Sequence, residues 1–268
     1  MSVCVEPSDP TSNMVVNYDM GKALAYVKKL NAEQDVHITV THLLAHGLTW
    51  GLYKMRRDVG RLRFGYFKAA KKLGLTVLVD VEGGKDLVPV TIWDGHKKTL
   101  FEVAKDIAEQ AGRARKGKDV GHVRRSKAAD FIPSFIAQPM GFCLSYIGSA
   151  IGIPLPPFGL GPDSTGHVVL TNVGSFGYQM GFAPLCPPVH QMALLCAGQI
   201  EKRAMIDEDD KVVVKQMMTC VGTGDHRYGD AATFLPLFRA LRGYVEDPAN
   251  FDESKYPGAP HHSELKAQ

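Results

Sequence analysis

Two segments near the C-terminal end, Lys211 to Val221 and Phe234 to Val245, limit the possible folds more than any other part of the chain. The first is rich in valine and methionine, with a threonine and a cysteine, and is predicted as a strand with a largely buried face. The second has helical apolar spacing. Between them Gly222 to Ala232 reads Gly-Thr-Gly-Asp-His-Arg-Tyr-Gly-Asp-Ala-Ala. A strand-to-helix junction aims side chains into a cleft rather than into the core. His226, with Asp230 four residues on, is therefore the first candidate for an acid/base group.

The chain of 268 residues is long enough to bury a substantial core in one large domain or two small ones. A net charge of +3, with acidic and basic residues interspersed, argues against a nucleic-acid partner. Cys4, Cys143, Cys186, Cys196 and Cys220 are widely spread with no CxxC pair, which fits reduced thiols in a cytosol-like compartment. Residues 1–13 are polar and acidic and form an expected tail, unlike a secretory signal or a transit peptide.

In order along the chain, Val15 to Leu30 is predicted as a strand running into an amphipathic helix, and Thr39 to Met55 as a second helix ending in cations. His37, His42 and His46 invite a metal reading, but no nearby Cys or Glu completes a ligand set, so no metal is expected. Arg61 to Phe67 and Leu75 to Val81 are predicted strands, and Leu87 to Trp93 returns as a hairpin partner. Thr99 to Ala114 has a helical stripe, with Thr99 or a neighbour as its cap. Gly166 to Val173 and Val189 to Ile200 are further strands, and Asp207 to Asp210 is a charged hairpin tip. Residues 251–268 form a polar tail.

Residues 113–127 are strongly basic, and Phe131 to Pro162 carries no charge at all. Its length would span a bilayer, but its six prolines and five glycines argue against one straight helix. A short apolar helix around Ser134 to Ile151 followed by an extended segment is expected. It would pack within the protein or against another subunit, or lie at a membrane interface beside the basic run.

Four stretches in register resemble one family: the opening strand and helix; Val79 to Val90, reading Val-Asp-Val-Glu-Gly-Gly-Lys-Asp-Leu-Val-Pro-Val; Val169 to Gly174, reading Val-Leu-Thr-Asn-Val-Gly; and Asp225 to Asp230, reading Asp-His-Arg-Tyr-Gly-Asp. Together with the helix after Thr99 they resemble the catalytic domain of the 2-oxoacid dehydrogenase dihydrolipoyl acyltransferases, which shares its fold with chloramphenicol acetyltransferase. The resemblance implies an α+β domain over residues 14–250, a mixed sheet flanked by helices, with residues 131–162 as an uncharged insert. It also implies a homotrimer, or a larger assembly of trimers, with sites between subunits.

The implied chemistry is acyl transfer between coenzyme A and a dihydrolipoyl thiol. His226 is the general base, Thr171 the oxyanion donor from a neighbouring subunit, and Asp230 the residue that organises the loop. No lipoyl domain precedes the matching region, so a separate lipoyl carrier or other 2-oxoacid dehydrogenase components are the expected partners. A cytoplasmic or mitochondrial-matrix location follows, with peripheral membrane contact through residues 113–162 as the other expectation. The chain departs from the family pattern at Thr171, where serine is usual, at Gly229, where a bulkier residue is usual, and at Ala231, where glycine is usual. Those departures leave a second reading, a non-catalytic scaffold of the same fold.

Overall fold

The computed structural model describes residues 10–33, 36–63, 66–80, 87–115, 136, 139–140, 143–144, 146–151, 153, 165–185 and 191–251. Most of the basic run and of the uncharged segment lies outside the described residues, as do the turn at 82–86 and the tail after 251.

Among the described residues the main sheet has six strands. In chain order they are β1 (Thr11–Asp19), β4 (Gly74–Asp80), β5 (Leu87–Trp93), β6 (Val168–Asn172), β7 (Ala193–Ile206) and β8 (Val212–Asp225), and across the sheet they run β1-β8-β7-β6-β4-β5. β7 pairs with β6 and β6 with β4 in parallel; the remaining pairings are antiparallel. Two short strands, β2 (Gly60–Arg63) and β3 (Tyr66–Ala69), form a separate antiparallel ribbon. The helices are α1 (Gly21–Glu33), α2 (Val40–Lys54), α3 (Leu100–Arg115) and α4 (Ala231–Glu246). This is the expected α+β architecture, a mixed sheet flanked by helices.

α2 is the centre of the core. Every residue from Leu43 to Tyr53 is buried, because the helix packs against α4 along one side and against α1, α3 and β4 elsewhere. Its approach to α4 needs glycine at two positions one turn apart. A Cβ on Gly47 would lie 2.8 Å from Tyr244, and one on Gly51 would lie 2.9 Å from the backbone oxygen of Leu237. The helix starts at a reciprocal cap. Thr39 Oγ1 accepts from the His42 backbone N–H at 3.3 Å, and the Thr39 N–H donates to His42 Nδ1. The expected cap at Thr99 has the same logic, with Glu102 as its partner.

The histidines of this region serve the core. His46 Nε2 donates to the Lys98 carbonyl at 2.9 Å, so its Nδ1 accepts from the Tyr244 hydroxyl at 2.7 Å. Burial holds His42 down to about 4, with the nearby His37 adding to the effect, so at neutral pH its ring is an uncharged acceptor. Among the described residues no three His, Cys, Asp or Glu side chains converge as a metal-ligand set.

Three expected elements differ in the structure. The first strand begins at Thr11, inside the expected tail, because its N-terminal residues pair with the end of β8. The single strand expected at Arg61 to Phe67 is instead the β2–β3 hairpin. β8 does not stop at Val221: pairing with β7 carries it to Gly224 and pairing with β1 to Asp225, so the first third of the junction motif is still strand. β7 and β8 also run beyond the sheet as a two-stranded ribbon whose Ile206, Val212 and Val214 are exposed. Of the uncharged segment, the described residues include one helical turn, Ile147–Ile151, lying against β2. Among the described residues no helix is long and apolar enough to cross a membrane.

Candidate active site

The end of β8 is pinned from both sides. The Asp225 N–H donates to the Met192 carbonyl at 2.9 Å, and the His226 N–H donates to the Pro10 carbonyl at the same distance. Asp225 is 3% exposed, and a charge buried to that extent needs a partner. It finds one two residues on. Arg227 Nε lies 3.0 and 3.2 Å from the two carboxylate oxygens and a terminal nitrogen lies 2.7 Å from Oδ2; the Arg227 backbone N–H also donates to Oδ1 at 3.0 Å. The clasp bridges across His226, and the Tyr228 N–H closes the turn on the Asp225 carbonyl at 3.0 Å. His226 is thereby presented on the exposed side of a turn whose backbone is fixed by its neighbours. Tyr228 braces it from beneath, its hydroxyl accepting from the Leu62 N–H at 3.2 Å.

Asp230 lies at the other end of the turn. It is exposed in the single chain and forms the N-cap of α4, accepting from the Thr233 backbone N–H at 3.0 Å and from the Thr233 hydroxyl. Those hydrogen bonds hold its carboxyl below the usual carboxylate range. Asp225, one residue before the histidine, is the member of the motif that is buried and ion-paired. The alternation of charges around His226 is the signal for this in the sequence.

The departures at Gly229 and Ala231 have local explanations. A Cβ on Gly229 would come within 2.4 Å of Thr233 Oγ1 and 2.6 Å of its Cβ. Glycine at 229 and the cap partner at 233 are therefore matched to each other. Ala231 is the first residue of α4, a helical position that asks for no glycine. Asp230→Ala is expected to lower the thermal midpoint by roughly a few degrees, whereas Asp230→Asn leaves it nearly unchanged because asparagine caps as well as aspartate. Thermal melts of both variants check this. An equal loss from the asparagine variant would mean that the charge, not the cap, stabilises the turn.

Thr171 is 8% exposed and lies near the C-terminal end of β6. Side chains alternate along a strand, so Thr171 shares a face with Val169. Val169 packs with Leu194, Cys196 and Val221 in a small cluster on the sheet surface turned away from the main core. The pairing Thr171↔Cys196↔Val221 fixes its position relative to His226. His226 stands five residues beyond Val221, about 17 Å along the strands and about 10 Å across two strand spacings from Thr171. One chain does not bring the two together.

The fold and the motif have relatives. A family model described as the 2-oxoacid dehydrogenases acyltransferase (catalytic domain) matches residues 163–251, one third of the chain. The lipoamide acyltransferase component of the mitochondrial branched-chain alpha-keto acid dehydrogenase complex of Caenorhabditis elegans is 31% identical over 84 residues; the match covers 31% of this chain and 18% of that protein. Among solved structures, a probable dihydrolipoamide acetyltransferase from Listeria monocytogenes superposes with a TM-score of 0.66 at 17% identity, over 91% of this chain and 88% of that one. The Azotobacter vinelandii dihydrolipoamide acetyltransferase superposes with a TM-score of 0.65 at 15% identity, over 90% and 83%. A catalytic core of the 2-oxoacid dehydrogenase multienzyme complex from Thermoplasma acidophilum gives 0.62 at 19%, over 90% and 89%. The region that carries β6 to α4, with both Thr171 and the His226 turn, thus matches the catalytic domain of the 2-oxoacid dehydrogenase acyltransferases, and the described chain carries the fold of their dihydrolipoamide acetyltransferase cores.

Proposed function

We propose that this chain transfers an acyl group between coenzyme A and a thiol acceptor of the dihydrolipoyl type. The observation that carries the reading is the turn at the end of β8. It holds an exposed imidazole between a buried aspartate and the half-exposed arginine that pairs with it, inside the region that matches the acyltransferase catalytic domain. The Azotobacter relative was solved to investigate a serine, a histidine and an asparagine in its catalytic mechanism, the last two four residues apart. His226 and Asp230 have the same spacing, and Thr171 supplies the hydroxyl.

In this mechanism a His226 ring nitrogen takes the proton from the acceptor thiol, and the resulting thiolate sulfur attacks the thioester carbonyl carbon. The carbonyl π electrons move onto oxygen, and the Thr171 hydroxyl of a neighbouring copy donates a hydrogen bond to that oxyanion. Collapse of the intermediate breaks the bond to the leaving sulfur, which recovers the proton from the imidazolium. Arg227 and Asp225 are positioning residues: they fix the backbone on both sides of the histidine and take no proton. Asp230 acts by starting α4 at the right place.

The separation of Thr171 and His226 within one chain favours an assembly in which each site is shared, a homotrimer or a larger array of trimers. One relative of the same fold forms the cubic core of a pyruvate dehydrogenase multienzyme complex. The lipoyl group would arrive on another protein, and the cytosol or the mitochondrial matrix is the location this partner implies; the worm relative is mitochondrial. The test is direct: the purified chain, given acyl-coenzyme A and dihydrolipoamide, should release free coenzyme A thiol in proportion to S-acyl dihydrolipoamide formed. A well-assembled chain that releases none with short, branched or long acyl donors sinks the reading and favours a scaffold of the same fold.

A further inference from the structure

Away from the His226 turn, a cavity of about 210 Å³ opens between the β2–β3 ribbon and the start of β4. Four cationic residues line it, Arg61, Lys68, Lys71 and Lys72, together with His167. Among the described residues no carboxylate does. Arg61 is 5% exposed and its guanidinium donates to the Thr165 carbonyl, which orients it. His167 is 4% exposed, and its Nδ1 accepts from the Gly74 N–H at 3.2 Å, so the ring proton sits on Nε2. Burial, and then the charge of Arg61, hold this imidazole down to about 4, so it offers a neutral N–H donor.

The register adds an independent observation. Arg61 and Lys68 are direct cross-strand partners in the ribbon, and like charges placed opposite each other destabilise a strand pair. Three exposed lysines within five residues and a buried arginine therefore share one small concavity, and an anion seated among them would be attracted by all four. The size decides what kind. Pockets for whole small molecules run to about 300–1,000 Å³, so this one suits a charged group rather than an entire ligand. Several cations and one N–H donor match the multiple acceptor oxygens and double charge of a phosphoryl group better than they match a carboxylate.

The cavity also lies at the same end of the sheet as the candidate base. The His167 N–H donates to the Gly74 carbonyl, the Met192 N–H to the His167 carbonyl and the Asp225 N–H to the Met192 carbonyl. That chain of bonds puts His167 two strand spacings, about 10 Å, from Asp225.

We propose that the cavity lined by Arg61, Lys68, Lys71, Lys72 and His167 binds a phosphoryl group. In acyl transfer, that group is one of the phosphates at the nucleotide end of coenzyme A. The second statement rests on the acyl-transfer reading; the first does not.

Titration calorimetry on the intact chain and on a Lys71→Gln/Lys72→Gln variant, with coenzyme A, pantetheine and inorganic phosphate as ligands, tests both. Both lysines are exposed, so the fold should survive. The expected result is that coenzyme A binds the variant about tenfold or more weakly, while pantetheine, which lacks the phosphates, binds both alike. Loss of inorganic phosphate binding in the variant with coenzyme A unaffected would keep the phosphoryl site and assign it to free phosphate. If the variant binds coenzyme A and phosphate as the parent does, the site is overturned, whether or not the chain transfers acyl groups. Conversely, absent acyl transfer with phosphate binding intact removes only the coenzyme A assignment.

Discussion

On the acyl-transfer reading, His226→Ala is expected to lower the rate by about 10²–10⁴-fold, the usual contribution of a positioned general base, without loosening the fold. The side chain is exposed, and the hydrogen bonds that shape its turn are made by backbone groups and by the neighbours on either side. The His226 N–H reaches Pro10, the Tyr228 N–H reaches Asp225, and Asp225 grips Arg227. None needs the imidazole. The variant should therefore melt within a degree or two of the parent and bind coenzyme A as before, with the loss falling on kcat. An unchanged rate in a folded, assembled variant would remove His226 from the chemistry and leave the scaffold reading in possession. A loss that appears only in KM would mean that the ring contacts substrate without moving a proton.

Removing the clasp has a different effect. Asp225→Ala would leave the Arg227 guanidinium without its carboxylate and free the backbone around the histidine, so stability and rate would fall together.

The strands and helices were legible because apolar spacing is a local signal. Val15 to Asp19, the α2 stripe, the individual strands β4 and β5 and the apolar stripe of α4 are each visible in local spacing, and the Thr39 and Thr99 regions carry their own capping chemistry. The His226 turn was legible as a motif. What the motif does locally was not. Which of two aspartates is buried depends on β8 continuing past Val221, and that continuation is set by pairing with Thr11 to Met14 on one side and with Ala193 to Leu195 on the other. These partners lie more than two hundred and about thirty residues away, beyond the reach of any local pattern. The fit of Gly229 to Thr233 is hidden for a related reason: it is a clash avoided, and a clash leaves no compositional trace. The basic cavity is hidden in the same way, since its cations become neighbours only once β2 pairs with β3 and β6 lies beside β4.

Thr171→Val removes one hydroxyl at nearly constant volume, and the expected cost is about 10²–10³ in kcat, the range for losing a single oxyanion donor. Thr171→Ser, which keeps the hydroxyl and drops only the methyl, should retain most of the rate. A defect shared by both variants would point to packing in the small cluster around Val169 instead of to hydrogen bonding. The more decisive experiment mixes chains. The register places Thr171 and His226 about 20 Å apart in one subunit, so on the proposed mechanism a working site would take each from a different copy. Chains carrying His226→Ala and chains carrying Thr171→Val are each nearly inactive alone. Unfolded together and reassembled at random in a closed ring, they give about a quarter of the sites an intact histidine facing an intact threonine, and about a quarter of the parent rate should return. If both residues served a site within one chain, no mixture would recover. Recovery near that fraction would show that the site exists only between subunits and that the exposed His226 turn is one half of it.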